Sequence, residues 1–428
     1  GTNAYTSNEK TVYVNDVPSN QMEKWLKIEA ERFRNPVLRL FHTELETVYE
    51  EKNRGLDSDG RKMFEALLDG LFPNHQYGQQ TTIGTIAHLK NPSLVAINKF
   101  YCANYVPNNM AICLSGDFDF NETIKVIDKY WGGFERKDDP TFHVIEEAPI
   151  TEPIEKQVYG PEAERLYVGF RFPGADSETT NKLGLTDMIL SNSTAGLIDL
   201  NLNQEQKIIG GGCFPHVLKD YSMHGFYGSP KQGQSLEEVK DLLLAEIEKV
   251  KSGDFPDWLI PAIINDFKLE QIKKYESNNG RAGEFVESFI LDLPWEDFAN
   301  VINEMAKLTK QDIIDFANHY YSNNYVVVYK RQGIDESVMK VAKPKITPVD
   351  VNRTSESDFL TAIMDEEVNE IEPVFLDFDN DVQKSNIGEV NILYKENTEN
   401  DIFKLYYQIK KGTDNNPKFK MAAEYLKY

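Results

Sequence analysis

Hydrophobic and polar residues alternate along the chain with two periods. Apolar side chains that recur every three to four residues predict helices, and short runs of β-branched and aromatic residues predict strands. The helical pattern covers 19–33, 41–52, 62–71, 93–105, 123–131, 181–190, 236–251, 258–275, 281–291, 310–320, 418–426 and, more weakly, 358–367. The strand pattern covers 3–6, 12–14, 110–114, 166–172, 225–228, 325–330 and 405–412. Capping boxes, Ser235 with Glu238 and Thr309 with Asp312, mark two helix starts.

Two pairs of segments repeat the same pattern. Segments 100–114 and 316–330 align Phe, Tyr and Asn in register before an apolar run, and 166–190 and 405–426 share a strand–turn–helix pattern. Repetition on this scale predicts copies of one structural unit. We therefore expect an α+β fold of repeated two-layer units, each a mostly antiparallel sheet covered by helices on one face. Chance similarity between short apolar elements is the alternative.

Two connectors divide the chain. Residues 137–161 contain four prolines, and the long acidic stretch after 332 has little periodicity. We predict a first unit at 1–140, a second at 161–332, a linker at 333–372 and the start of a third at 373–428. Because the first unit lacks the opening strand–turn–helix and the third stops after it, we expect the chain to be a piece of a longer protein.

Composition narrows the function classes. The formal net charge of −23 repels a phosphate backbone and argues against nucleic-acid binding. Apolar runs stay well below the roughly 18 residues that a membrane span needs, so we expect no membrane partner. Cys102, Cys113 and Cys213 form no CxxC pair, so a disulfide framework is excluded, and we interpret them as small buried hydrophobic residues. The cysteines leave the compartment open between cytoplasm and periplasm.

The segment 41–54 contains the most informative polar pattern. Glu44 and Glu51 are seven residues apart and nearly eclipsed on a helix, where they flank an apolar stripe. The stripe consists of Phe41, Leu45, Val48 and Lys52. Two carboxylates beside such a stripe can be half buried and would then need a cation or a donor. On the pattern alone, the alternative is a charged helix flank in solvent.

Four ordered motifs together resemble the insulinase/pitrilysin family of zinc metallopeptidases. They are the edge-strand pattern at 3–13, the E-x6-E pattern at 44–51, Phe72-Pro-Asn-His-Gln-Tyr-Gly78, and Tyr105-Val-Pro-Asn-Asn-Met-Ala-Ile-Cys-Leu-Ser-Gly-Asp117. The resemblance covers essentially the whole chain: clearly in the first unit, more faintly in the second, and at the start of the third. It implies a zinc endopeptidase that degrades peptides or unfolded chains inside a closed chamber.

The resemblance also implies roles for individual residues. Glu51 would be a zinc ligand, and Glu44 would orient the site without binding the zinc ion itself. The peptide substrate would pair with the strand formed by Asn3, Ala4, Tyr5 and Thr6. The alternative is that these residues form an ordinary edge strand without a role in binding. In the family, zinc polarises the attacking water and the glutamate of HxxEH acts as general base. A second half of the same polypeptide would be the chamber partner.

The sequence departs from the family at its defining motif. HxxEH does not occur in the 428 residues, and all seven histidines stand outside such a pattern. A catalytic zinc ion needs three protein ligands, so we expect this chain alone to bind no zinc tightly and to cleave no peptide. By family spacing, HxxEH would precede Gly1. A non-catalytic peptide-binding or scaffold protein of the same family is the alternative function.

Other candidate positions have ordinary explanations. The run Ile208–Gly212 resembles the family's outer peptide-anchoring strand, with a flexible loop as the alternative. His75 is interpreted as a loop residue that hydrogen-bonds locally rather than as a ligand. His216 and His224 could face each other across a hairpin, but the sequence suggests no third ligand for them.

Overall fold

The computed structural model describes residues 1–38, 40–90, 92–335, 350 and 352–426, except for the side chains of His42 and Ser177. It forms two compact units, Gly1–Glu370 and Ile371–Tyr428. The strands are β1 (Thr2–Thr6), β2 (Thr11–Asn15), β3 (Ile154–Gly160), β4 (Arg165–Pro173), β5 (Gly210–His216), β6 (Tyr221–Ser229), β7 (Tyr325–Gln332), β8 (Gln383–Ile387) and β9 (Val390–Tyr394).

Helices outnumber strands. They are α1 (Met22–Arg34), α2 (Phe41–Leu56), α3 (Asp59–Leu71), α4 (Gln76–Gln79), α5 (Ile86–Lys90), α6 (Leu94–Asn104), α7 (Phe120–Trp131), α8 (Ser177–Leu190), α9 (Leu236–Ser252), α10 (Leu259–Tyr275), α11 (Asn278–Ile290), α12 (Trp295–Ala299), α13 (Val301–Met305), α14 (Lys310–Tyr320), α15 (Asp358–Asp365) and α16 (Lys418–Tyr425). In the described part of the chain, none of them is long and apolar enough to cross a membrane.

A five-stranded sheet organises the larger unit. Its strand order is β3-β7-β4-β6-β5, with β3 and β7 parallel and every other pair antiparallel. Alternate residues of β4 and β6, including Val168, Phe170 and Phe226, are buried on one face against α8, α9 and α14. The α+β class and the mostly antiparallel sheet are therefore confirmed.

The opposite face of this sheet is also covered. Met63, Leu67 and Leu71 of α3 pack against Val326 and Val328 of β7. A helix from the N-terminal segment therefore packs on a sheet built from later residues, in addition to the predicted helices on the first face.

Local signals in the sequence fix several helix starts. The side chain of Ser235 accepts a hydrogen bond from the Glu238 N–H and the Glu238 carboxylate accepts one from Ser235, so the predicted capping box before α9 is confirmed. Thr309 and Asp312 form the same pair before α14. Each cap satisfies backbone donors that the first helical turn leaves free.

The N-terminal hairpin packs through aromatic side chains. β1 and β2 form a separate two-stranded antiparallel sheet. Tyr13 of β2 contacts Phe33 edge-on, with ring centroids 5.1 Å apart, and Phe33 contacts Tyr105 and Trp131. These contacts attach the hairpin to α1, and Phe33 of α1 packs in turn against Trp131 of α7.

Three expectations from the sequence are wrong. Residues 110–114 and 405–412 are not strands, because no partner strand lies beside either segment within the described residues. Cys102 is exposed on α6 rather than buried. The weakly predicted helix at 358–367 is confirmed as α15, but most of the predicted linker, 336–349 and 351, lies outside the described residues. The division into repeated units stays a prediction.

Candidate peptide-binding edge and carboxylate helix

The helix α2 presents the two predicted carboxylates. Leu45 and Val48 pack against Tyr49 and Leu89, and Lys52 is buried, so the predicted stripe is confirmed at these three of its four positions. Glu44 and Glu51 lie on the flank of this stripe. Both are exposed rather than half buried. The roles of Glu51 as a zinc ligand and of Glu44 as the support for that ligand stay predictions.

The residues near Glu51 do not by themselves fit a catalytic zinc ion. Such an ion takes three protein ligands, usually with a bound water. Within the described residues, Glu51 belongs to no group of three His, Cys, Asp or Glu side chains with ligand atoms close enough to share one ion. A metal site at α2 would therefore need ligands from outside the described residues.

The hairpin leaves one edge of β1 open. Gly1 and Asp16 exchange backbone hydrogen bonds of 2.6 and 2.8 Å, and the Ser7 N–H donates to the Lys10 carbonyl at 2.8 Å. Hydrogen-bonded and non-hydrogen-bonded pairs alternate in an antiparallel ladder. Asn3 and Tyr5 therefore direct their backbone groups toward β2, as residues of hydrogen-bonded pairs. The backbone N–H and C=O groups of Thr2, Ala4 and Thr6 point away from β2.

This outer edge is accessible. All five residues of β1 are exposed, and in the part of the chain that the structure describes no strand other than β2 pairs with it. The Ala4 N–H donates to the Oδ1 atom of the neighbouring Asn3 at 2.9 Å, a local bond that an incoming strand would replace. Of the four predicted substrate-binding residues, Ala4 and Thr6 therefore offer backbone groups outward.

Side-chain contacts fix the turn between β1 and β2. Glu9 accepts hydrogen bonds from the Tyr77 hydroxyl and from the Lys219 N–H, the latter at 2.8 Å. Burial raises the pKa of the Glu9 carboxyl, although hydrogen bonds from Tyr77 and Lys219 oppose this change. Lys10 pairs with Glu287 of α11. Two consecutive turn residues thus fix the hairpin relative to the rest of the unit.

The motif at 72–78 supplies this support. Its His75 is buried, accepts a bond from the Tyr77 N–H at 3.2 Å and pairs with Asp220 at 3.1 Å, in agreement with its interpretation as a locally bonded loop residue. Gly78 has no room for a side chain, because a Cβ atom would lie 2.2 Å from the Phe72 carbonyl oxygen. The motif therefore positions the Tyr77 hydroxyl to donate to Glu9, rather than contributing a metal ligand.

The glycine run forms the edge strand β5 instead of a loop. The Asn203 side chain donates to the Gly211 carbonyl and accepts from the Gly211 N–H, each at 2.9 Å. The outward backbone groups of Gly211 are therefore already paired. The role of this strand in peptide anchoring stays a prediction.

His216 and His224 do not face each other. The register of β5 and β6 pairs His216 with Met223 and Pro215 with His224, so the two histidines lie on opposite faces of the sheet. His216 contacts Phe64 of α3, while His224 is fully buried beneath α8 beside Asp187. The sequence identified these two histidines as candidates. It could not show that Asp187 of α8 lies beside His224, because this contact depends on how the helix packs on the sheet.

Part of the chain matches a known family model, and a curated protein is similar over most of its length. Residues 93–267 match the model described as the peptidase M16 inactive domain. The zinc protease PqqE of Helicobacter pylori is 22% identical over 332 residues, which cover 75% of this chain and 74% of that protein.

Solved structures share the fold. A protease from Helicobacter pylori superposes with a TM-score of 0.71 at 19% identity, over 77% of this chain and 82% of that chain. The periplasmic protease PqqL from Escherichia coli gives a TM-score of 0.62 at 15% identity, over 92% of this chain and 46% of that one.

Proposed function

We propose that this chain, whose residues 93–267 match the peptidase M16 inactive domain, belongs to the insulinase-type family that its motifs resemble. In this proposal it binds extended peptides as part of a zinc-dependent endopeptidase. The substrates are peptides or unfolded chains, degraded inside a closed chamber. A second half of the same polypeptide is the proposed chamber partner. The relative named as a zinc protease supports zinc chemistry in the family.

The open edge of β1 is the observation that carries this proposal. The outward groups of Thr2, Ala4 and Thr6 can extend the hairpin by one strand, so that a peptide binds through its backbone. Backbone pairing reads the extended conformation and length of a peptide more than its sequence. Such recognition suits an enzyme that accepts many unfolded chains.

Glu51 and Glu44 have defined roles in this proposal. Glu51 contributes one carboxylate ligand to a zinc site whose other ligands lie outside the described residues, and Glu44 supports that ligand. Since α2 alone cannot provide three ligands, the chain by itself holds no zinc through Glu51 and hydrolyses no peptide.

A non-catalytic peptide-binding or scaffold protein is the second candidate. It is favoured by the absence of HxxEH from the sequence and by the exposure of both carboxylates. The natural gene separates the two candidates. An HxxEH motif encoded upstream of Gly1 supports the peptidase, and its absence from the natural protein supports the scaffold.

Peptide binding is tested at the outer edge of β1. Proline at position 4 removes the outward N–H but leaves the ladder to β2 intact, because Ala4 is in a non-hydrogen-bonded pair. We expect Ala4→Pro to weaken the binding of a fluorescent extended peptide about tenfold in anisotropy titrations. Ala4→Val keeps the N–H and is the matched control, with affinity close to that of the unmodified protein.

The outcomes separate recognition from catalysis. Equal affinity of Ala4→Pro and the unmodified protein, with unchanged circular dichroism, would reject β1 as the peptide-binding edge. Mass spectrometry of the same peptide after incubation with the chain and Zn²⁺ should show no cleavage. Cleavage that disappears in Glu51→Gln would contradict the expected inactivity of the chain alone.

A further inference from the structure

Three potential metal ligands from separate elements meet beneath α8. They are Asp187 of α8, Cys213 of β5 and His224 of β6, and one ligand atom from each lies within 4.8 Å of the other two. The register of β5 and β6 places Cys213 and His224 on the sheet face that α8 covers. This cluster contains none of the residues predicted for zinc binding on α2.

Hydrogen bonds hold the cluster in place. The Nε2 atom of His224 lies 3.1 Å from Asp187 Oδ1, and its Nδ1 atom lies 2.6 Å from the Tyr321 hydroxyl. The Cys213 thiol lies 3.4 Å from the main-chain oxygen of Asp187. His224 is fully buried and Tyr321 nearly so, which fixes the plane of the imidazole.

The surroundings of the cluster are negatively charged. Asp199 is buried and lies close enough to influence the Cys213 thiol. It accepts hydrogen bonds from the Ser191 hydroxyl at 3.2 Å and from the Asn192 N–H at 2.8 Å. No Lys or Arg among the described residues forms an ion pair with Asp187 or Asp199. Asp187 and Asp199 therefore place two carboxyl groups beside the thiol, and an ion bound there would be a cation.

The geometry does not suit a cysteine nucleophile. A catalytic base would point one imidazole nitrogen at the thiol, whereas both nitrogens of His224 face other oxygens. Burial raises the pKa of the Cys213 thiol, and the charge of Asp187 adds to this effect, whereas a cysteine nucleophile needs a lowered pKa.

We propose that Asp187, Cys213 and His224 bind one Zn²⁺ ion. Thiolate, imidazole and carboxylate are the ligands that zinc takes in proteins, and three of them leave one position for water. The ion balances the charges of one carboxylate and one thiolate. Binding releases the thiol proton of Cys213, and His224 would bind the ion through Nε2 while its Nδ1–H donates to the Tyr321 oxygen.

This site revises one expectation from the sequence. The chain alone was expected to bind no zinc tightly, but that expectation concerned Glu51 and the absence of HxxEH. The new ion would fasten the edge strand β5 to α8 and β6, and it is independent of peptide hydrolysis. Variants of the two sites therefore give separate results.

Cobalt titration tests the site. The metal-free protein is titrated with Co²⁺, and we expect one ion per chain together with a thiolate-to-cobalt charge-transfer absorption. Cys213→Ser should abolish this absorption and weaken binding at least about tenfold, and Asp187→Asn should weaken binding. Cys102→Ser, at the exposed cysteine of α6, and Glu51→Gln are matched controls that should behave like the unmodified protein.

A second measurement needs no variant. X-ray absorption of the zinc-loaded protein should show one sulfur ligand at about 2.3 Å together with nitrogen or oxygen ligands. Absence of a sulfur ligand, absence of the cobalt charge-transfer band, or a band that persists in Cys213→Ser would overturn the proposal. Loss of the band in Cys102→Ser would also overturn it.

Discussion

At the scale of single residues, a buried ion pair connects the N-terminal segment to the sheet. Lys330 of β7 and Asp59 of α3 are both almost fully buried, 2.7 Å apart. The Lys330 ammonium also donates to the Ala163 carbonyl at 3.0 Å, and Asp59 accepts from the Glu162 N–H at 3.0 Å. Burial alone would raise the pKa of Asp59, but the bonds from Lys330 and Glu162 lower it overall.

Removal of one partner should be costly. Lys330→Met leaves the Asp59 carboxylate buried without its cation, so we expect a loss of about 3–5 kcal/mol in the free energy of unfolding at neutral pH. Urea denaturation measures this loss. Lys125→Met is the control, because Lys125 forms an exposed pair with Glu122 and should cost less than about 1 kcal/mol.

The same pair should make stability depend on pH. Because the folded-state pKa of Asp59 lies below its ordinary value of 3.8, its stabilisation is fully present above pH 3.8 and is lost as the pH falls through the folded value. The difference between the unmodified protein and Lys330→Met should therefore shrink in acid. A difference that is constant between neutral and acidic pH would contradict this assignment.

Sequence reasoning located candidate residues better than their partners. The spacing of Glu44 and Glu51 predicted a shared helix flank, and α2 confirms that helix. Exposure depends on what packs beside the helix, which the spacing does not contain. Asp187, Cys213 and His224 are scattered over three elements, so only the register of β5 and β6 and the position of α8 reveal them as neighbours.

At the scale of elements, the sequence predicted most helices and the strands β1, β2, β4, β6 and β7. Periodicity is a local property, and both kinds of element carry it in their own residues. The apolar runs at 110–114 and 405–412 show the limit of this signal. A strand also needs a partner for its backbone groups, and the described residues provide none for these runs.

The position of α3 was another feature that periodicity could not provide. Its apolar stripe predicted a buried face but not the sheet that receives it. In the structure, Leu67 is fully buried, and its methyl groups lie close to Gly169 of β4. A side chain at Gly169 would approach Leu67 to 2.9 Å, so the helix and the sheet pack as closely as their residues allow.

Shortening the Leu67 side chain should measure how much this contact contributes to the free energy of unfolding. Leu67→Ala leaves a cavity between α3 and the sheet, and we expect a loss of about 2–5 kcal/mol in the free energy of unfolding. Thermal and urea denaturation measure it. Leu269→Ala on α10 is the matched control, because Leu269 is 38% exposed and should change stability by much less. Equal effects of the two substitutions would show that α3 contributes little to the fold.

At the scale of the whole molecule, the two units differ in how they are stabilised. Every buried hydrophobic residue of the described chain lies in Gly1–Glu370. In the smaller unit, no described residue is buried, and side chains such as Tyr406 and Tyr407 are more than four-fifths exposed. The hairpin of β8 and β9 is paired only by its own ladder within the described residues. A two-stranded hairpin is marginally stable at best in water.

This difference predicts where a protease cuts first. Limited digestion with chymotrypsin should cleave within 371–426 before it cleaves the larger unit, because cleavage follows local opening and the smaller unit has no core to oppose it. Mass spectrometry of the early fragments identifies the sites.

A chain that ends at Glu370 provides the second measurement. Since its core is complete without the later residues, its thermal midpoint should differ from that of the full chain by less than about 2 °C. Either of two results would contradict this prediction: a first cut within the strands of the five-stranded sheet, or a truncated chain that no longer unfolds cooperatively. Each would mean that the later residues contribute to the core.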